Sequence, residues 1–203
     1  MSDEILDVNT RNAADYSEDS IRHLDDMTHI RMRPGMYIGK LGDGTQPDDG
    51  VYVLLKEVFD NSLDEHMMGY GTRIDVTVDL EQGSVSVRDY GRGIPLGSLV
   101  DVASKMNTGA KYEAGVFTKS LGLNGVGIKA VNALSSSYEI SSFREGRGAR
   151  ATFSCGNLLN FEEFDAPDEK SGTYTQFLPD DTLFKNYHYD LAIVQAMLRN
   201  YTY

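Results

Sequence analysis

The stretch "RIDVTVDLEQGSVSVRDY", residues 73–90, decides the fold. In its first half Ile74, Val76, Val78 and Leu80 alternate with polar residues, and in its second half Val85 and Val87 repeat the pattern. Alternate residues of a strand point to opposite faces, so each half reads as a strand with one buried face. Only Glu81 to Gly83 separate the halves, which makes the pair an antiparallel hairpin.

Toward the C-terminus, "SYEISSF", "ARATFS" and "GTYTQFL" read as further strands, the first two joined by the turn-prone "REGRG". Short links between successive strands give a largely antiparallel sheet. Toward the N-terminus, "LLKEVFDNSLDEH" (residues 54–66) changes to a helical period. Glu57, Asn61 and Asp64 share one face with Asp60 flanking them, and Val51, Leu55, Val58, Phe59, Ser62 and Leu63 lie opposite. This helix should stop around Gly69 to Gly71. An earlier helix is expected from about Ser20, with Ile21, Leu24 and Met27 or Thr28 on one side. It ends near "RMRPG", because Pro34 disfavours helical geometry at Arg33 and Gly35 permits a turn. A further helix from Ile128 turns Ile128, Val131 and Leu134 inward, and "YDLAIVQAMLRNY" closes the chain as an amphipathic segment. The fold class is therefore α+β, a two-layer sandwich of a mostly antiparallel sheet with helices on one face. Residues 1–19, polar and acidic, read as a mobile arm, and residues 20–203 as one domain.

The net charge of -12 argues against a broad nucleic-acid-binding surface, because phosphate neutralisation needs clustered Lys and Arg. A single cysteine, Cys155, can form neither an internal disulfide nor a cysteine metal cluster, which fits a reducing, cytoplasmic setting. No apolar run approaches membrane-spanning length, and residues 1 to 20 are too acidic and polar for a signal peptide.

Three stretches could carry chemistry. The acidic helix face around Glu57 reads, by itself, first as a solvated surface. "RDYGRGIP" (residues 88–95) puts Asp89 at a strand end, with Gly91 and Gly93 leaving room for something flat to approach the backbone. Alone it could be a turn. "GLNGVGIKAVNAL" sets Gly122, Gly125 and Gly127 before a helix, where backbone N–H groups can hold phosphate, although the same run could be a linker. It is not a Walker A loop, since no Gly-Lys-Ser/Thr closes it. Together the three match the needs of an anionic nucleotide. The glycine loop is a phosphate cradle, Asp89 can accept from an adenine amino group, and the Asn61 oxygen is a hard ligand for Mg²⁺. Glu57, one turn before Asn61, can orient or deprotonate a water attacking the γ-phosphate.

In this order "RMRPGMYIG", "EVFDNSLDE", "RDYGRGIP" and "GLNGVGIKAVNALS" resemble the ATPase domain of bacterial type II topoisomerase B subunits. That family comprises the B subunits of gyrase and of topoisomerase IV, within the GHKL (Bergerat-fold) superfamily shared with Hsp90, MutL and histidine kinases. The resemblance covers roughly residues 18 to 203, and the signature at Arg33 to Gly39 is specific for the topoisomerase branch.

The resemblance implies Glu57 as general base, Asn61 as Mg²⁺ ligand and Asp89 as adenine reader. It further implies nucleotide contacts at Asp64, Gly91, Gly93, Ile94, Lys111, Gly122, Leu123, Asn124, Gly125, Val126 and Gly127. Thr173 matches the threonine that supports the adenine-bound Asp and its water. Arg92, Pro95 and Arg144 match the pocket rim contacted by ATP-competitive inhibitors, with Glu65 as partner of Arg92. The lid over ATP falls at about residues 106–127 and includes Lys119. Implied partners are ATP, a second copy of the B-type chain when ATP binds, and an A-type subunit and DNA through domains outside this chain. Asn124 stands where gyrase-type proteins usually have His, and with "MNTGAKY" this favours the topoisomerase IV member of the family over gyrase. The family's transducer domain, which supplies a lysine to the γ-phosphate, falls outside these residues, so an excised domain that binds ATP and hydrolyses it poorly alone is expected. The alternatives are a gyrase B domain driving negative supercoiling, an Hsp90- or MutL-like clamp, a histidine kinase, and a non-enzymatic binding module. "RPGMYIG" speaks against the clamp, and the placement of His23, His29, His66 and His188 speaks against the kinase.

Overall fold

The computed structural model describes residues 25–106 and 125–201. Within them, six strands form one sheet in the order β1-β2-β6-β3-β4-β5. They are β1 (Ile74–Asp79), β2 (Ser84–Asp89), β3 (Ser135–Arg144), β4 (Arg147–Ser154), β5 (Asn157–Asp165) and β6 (Gly172–Pro179). Every neighbouring pair is antiparallel, so the sheet is wholly rather than mostly so. The hairpin of β1 and β2 is present, but Leu80 falls in its turn and is 52% exposed instead of continuing the buried row. At the β3–β4 turn Glu145 and Gly146 both adopt positive φ, the twist that a two-residue hairpin link requires.

Strand β5 was not legible as a strand. Nearly all its residues are exposed, because it lies at the sheet edge and no helix covers it. With neither face buried there is no alternation to read.

The helices are α1 (Asp26–Met32), α2 (Gly35–Ile38), α3 (Gly50–Met67), α4 (Leu99–Ser104), α5 (Gly127–Ala133) and α6 (Leu191–Arg199). The helix expected from about Ser20 begins, within the described residues, at Asp26. Asp25 is extended and caps it, its carboxylate accepting from the Thr28 N–H at 3.0 Å. Gly35, expected in a turn, opens the short α2. Helix α3 stops at Met67, before Gly69 and Gly71, both at positive φ.

The core lies between sheet and helices. Val85, Val87, Tyr138, Ile140, Phe153 and Phe177 meet Leu54, Leu55 and Val58 of α3, Val131 of α5 and Leu134 just after it. Each such side chain contributes about 1.5–3 kcal/mol when fully buried. Ile128, expected inward, is only half-buried. At its far end α5 is held by Arg31, whose guanidinium donates to the Ala133 carbonyl at 2.8 Å and to the buried Asp180 carboxylate at 2.6 Å. No helix of the described residues is long and apolar enough to cross a membrane.

Candidate active site

On the helix-facing side of the sheet, the rows that begin as core end in polar residues. Strand alternation puts Asp89 on the same face as Val85 and Val87. It is 5% exposed. Its Oδ1 accepts from the Gly91 N–H at 2.9 Å and the Thr173 N–H at 3.2 Å, and its Oδ2 from the Ser62 hydroxyl at 3.3 Å. Burial pushes the carboxyl above its ordinary value, against the two backbone donors and the Arg88 charge, while Glu65 adds to the rise. A carboxylate held in this way keeps lone pairs to receive an amino group.

The loop after β2 is fastened to β3 by two hydrogen bonds. Arg144 Nη1 donates to the Gly93 carbonyl at 3.1 Å, and the Ser142 hydroxyl donates to the Ile94 carbonyl at 2.7 Å. Gly93 itself has φ +72°, and a Cβ there would come within 2.7 Å of the Phe143 carbonyl. On the outer rim Arg92 takes both oxygens of Glu65, Nη2 to Oε1 at 2.8 Å and Nε to Oε2 at 3.1 Å. Its guanidinium lies 4.0 Å from the centre of the Tyr70 ring. This pair is solvent-exposed and contributes at most about 1 kcal/mol, so it shapes the rim more than it stabilises the fold.

Helix α3 runs from this acceptor to a second group of residues. Glu57 precedes Ser62 by five positions, about 7.5 Å along the axis. The Asn61 amide donates from Nδ2 to the Glu57 carbonyl at 2.7 Å, which turns its oxygen away from that carbonyl. The Glu57 carboxylate abuts Gly127, where any Cβ would overlap it. Gly125, at φ +60°, and Val126 lead the chain into α5 at this point. Asp89, beside one part of α3, can thus accept a hydrogen bond from a flat heterocycle, and Glu57 and Asn61, farther along the helix, carry a carboxylate and an amide oxygen, the atom types that hold a water or a cation.

Two clusters therefore emerge from the expected residues: Asp89, Gly91, Gly93, Ile94, Thr173, Glu65, Arg92 and Arg144 at one end, and Glu57, Asn61 and Gly127 at the other. Asp64 is buried on α3 at 3% exposure, and Pro95 is exposed at the start of a short 3-10 turn, Leu96–Ser98. Lys111, Lys119, Gly122, Leu123 and Asn124, most of the lid and the whole arm lie outside the described residues. Asp60 does not flank the polar face. It is buried at 2% exposure, and Lys56 and Tyr201 are its partners. Ser62, which the helical period puts on the apolar side, is a site residue because Asp89 reaches it there. Ser142 was also missed, since a serine in a strand carries no signal of its own. A separate cavity of about 480 Å³, lined by Asp25, Met27, Arg31 and Cys155 among others, shares no residue with this site.

Residues 47–158, which include Glu57, Asn61, Asp89 and Gly127, match the family described as histidine kinase-, DNA gyrase B- and HSP90-like ATPase. The chain belongs to this ATPase family. Among its relatives, the B subunit of DNA topoisomerase 4 from Borreliella burgdorferi is 52% identical over 186 residues, covering 92% of this chain and 31% of that protein. The B subunit of DNA gyrase from the same organism is 36% identical over 192 residues, covering 91% of this chain and 29% of that protein. The crystal structure of the 43K ATPase domain of Thermus thermophilus gyrase B, in complex with an aminocoumarin, superposes with a TM-score of 0.71 at 32% identity. That match covers 87% of this chain and 45% of the other. This member of the ATPase family thus spans less than a third of the length of the two curated relatives. Its antiparallel sheet backed by helices is the fold of the gyrase B ATPase domain, and Thr173 joins the site from beyond the matched segment.

Proposed function

We propose that this chain is the ATP-binding and ATP-hydrolysing N-terminal domain of a bacterial type II DNA topoisomerase B subunit, of the topoisomerase IV kind. The observation that carries this reading is Asp89, a buried carboxylate fixed by the Gly91 and Thr173 N–H groups beneath a glycine-shaped loop. Asp89 accepts from the adenine amino group. Glu57 orients the attacking water and takes its proton as the γ-phosphate is transferred. Gly122 to Gly127 wrap the phosphates, and Lys111 in the lid offsets their charge. Glu65, Arg92, Pro95 and Arg144 form the rim on which ATP-competitive inhibitors would rest.

The donor set suits Mg²⁺. Asn61 offers one hard oxygen, and among the described residues no group of three or more His, Cys, Asp or Glu could hold an ion. That fits a cation carried mainly by phosphate oxygens and water, with a single side-chain ligand. Bound there, Mg²⁺ would neutralise charge on the transferring phosphoryl group.

The two relatives from one organism support topoisomerase IV, at 52% identity against 36% for the gyrase relative. ATP binding would then join two copies of the full-length protein in the cytoplasm, and hydrolysis would reset a gate for DNA relaxation or decatenation. With a net charge of -12, contacts to DNA and to an A-type subunit fall to other segments.

Calorimetric titration of the 203-residue chain with a non-hydrolysable ATP analogue and Mg²⁺, repeated on Asp89→Asn, tests the reading. Binding that the substitution removes supports it. A folded wild-type chain that binds neither the analogue nor an ATP-competitive topoisomerase inhibitor would overturn it.

A further inference from the structure

Directly behind Asp89, on the sheet face turned away from α3, lies a residue that the nucleotide reading does not use. Arg88 alternates outward from Asp89 and pairs across the sheet with Asp75 on β1 and Tyr174 on β6. Its side chain is only 13% exposed. The guanidinium carbon lies 4.7 Å from the centre of the Tyr90 ring and 4.8 Å from that of Phe143, so the cation is held between two aromatic faces. Tyr90 is fixed in turn, its hydroxyl donating to Asp75 at 2.9 Å.

The two ends of the guanidinium bridge backbone segments that are distant in sequence. Nη1 donates to the carbonyl of Asp89, and Nη2 donates to the carbonyl of Lys170 at 2.5 Å. Gly172, at φ +137° and paired with Phe143, is the socket, because a Cβ there would overlap both Arg88 Nη1 and the Asp89 carbonyl. The next residue is Thr173, whose N–H reaches the Asp89 carboxylate on the other face of the sheet. The clamp and the acceptor therefore share the same two backbone segments.

We infer that Arg88 is a positioning residue for the nucleotide base: from the outer face it ties the Asp89 backbone to the turn before β6, and so sets the Asp89–Thr173 pair. This rests on the nucleotide-site reading above. A flat guanidinium can bridge two carbonyls while stacked between rings, whereas a lysine can supply the charge but not the bridge. The positive charge also favours the ionised form of Asp89, the form able to accept. The other charged groups around this end of the strand are Glu65 on α3, paired with Arg92 in the following loop, Arg144 on β3, Asp75 on β1 with Arg73 just before it, and Glu169 before β6.

The test measures affinity for a non-hydrolysable ATP analogue with Mg²⁺, from pH 4.5 to 8, for the wild-type chain, Arg88→Gln, Arg88→Lys, Tyr90→Leu and Asp89→Asn. Arg88→Gln should weaken binding roughly tenfold or more, as loss of charge-assisted hydrogen bonds does. It should also move the acid limb of the profile to higher pH. Arg88→Lys should restore the acid limb but not the affinity. Tyr90→Leu, which opens one wall of the cage and keeps the charge, should weaken binding in the same direction and covers the case in which Arg88→Gln does not fold. Wild-type affinity and acid limb in a folded Arg88→Gln, while Asp89→Asn abolishes binding, would overturn the clamp and leave the nucleotide site standing. With an unfolded Arg88→Gln, wild-type affinity in Tyr90→Leu would overturn it equally. Absence of binding to the wild-type chain would overturn both.

Discussion

The Glu57 carboxylate fills the space in which a side chain on Gly127 would begin. Helix α3 and the start of α5 can approach this closely only because one of the two residues has no Cβ. Gly127→Ala must displace Glu57 or shift α5, an overpacking that costs about 1–3 kcal/mol. Turnover in the full-length protein should fall with it. A melting temperature and turnover both equal to wild type would show that the contact is not limiting.

Glu57→Gln keeps the shape of the side chain and removes its basicity. In the full-length protein, affinity for a non-hydrolysable analogue should stay nearly unchanged. Turnover should fall roughly 10²–10⁴-fold, the usual worth of a positioned base. Equal losses in binding and turnover would place Glu57 in binding instead.

Asp89 ties stability to pH in a particular direction. Its folded pKa is raised by burial, so the folded chain holds that proton more tightly than the unfolded chain does. The stabilisation is complete below the unfolded value of about 3.9 and is lost as pH rises through the folded value. At neutral pH the buried carboxylate is therefore a burden that the ligand-free fold carries. Asp89→Asn should be at least as stable as wild type in urea at pH 7, and that advantage should vanish near pH 3.5. A clear loss of stability at pH 7 would mean that the hydrogen bonds to Asp89 outweigh its burial.

At the opposite end of α5 the sign reverses. Burial alone would raise the pKa of Asp180, but Arg31 and the hydroxyl and N–H of Thr182 outweigh it and hold the carboxyl below its ordinary value. This contribution is present above the unfolded value of about 3.9 and is lost as pH falls through the folded one. Arg31→Ala leaves the Asp180 carboxylate, whose side chain is 4% exposed, without its cation, and should cost about 3 kcal/mol at pH 7. The deficit should shrink as acid neutralises Asp180, which urea titrations at two pH values would read. A deficit that does not change with pH would mean that the Ala133 carbonyl, not Asp180, is the partner that matters.

Where residues alternate between a covered and an open face, the sequence was easy to read. Strands β1 to β4 and β6, the long α3 and the acceptor Asp89 all follow from period and from glycine placement. Strand β5 did not, because Leu158, Leu159 and Phe161 stand exposed among Asn and Glu at an uncovered edge. The stretches around Glu57 and Asp89 were legible as separate motifs, yet their joining was not. Asp89 meets Ser62 and Thr173 across 27 and 84 residues of chain, and no local pattern encodes a contact of that span. Asp60 misled for a related reason: a carboxylate at a polar helical position, with Lys56 one turn before it, looks solvated until Tyr201 arrives from the far end of the chain and the fold buries it.

The strand made last is not the outermost one. β6 lies between β2 and β3, so the sheet closes at its centre with almost the final segment of the described chain. Until β6 arrives, the β1–β2 hairpin and the β3–β4–β5 meander have open inner edges, and Asp89 lacks the Thr173 N–H. Long-range closures of this kind are slow. During synthesis the earlier strands must therefore wait, unzipped along the middle, for residues 172–179 to leave the ribosome, and the seam they close carries the contact between Thr173 and Asp89. The buried acceptor on β2 would then be completed only when the sheet itself is whole.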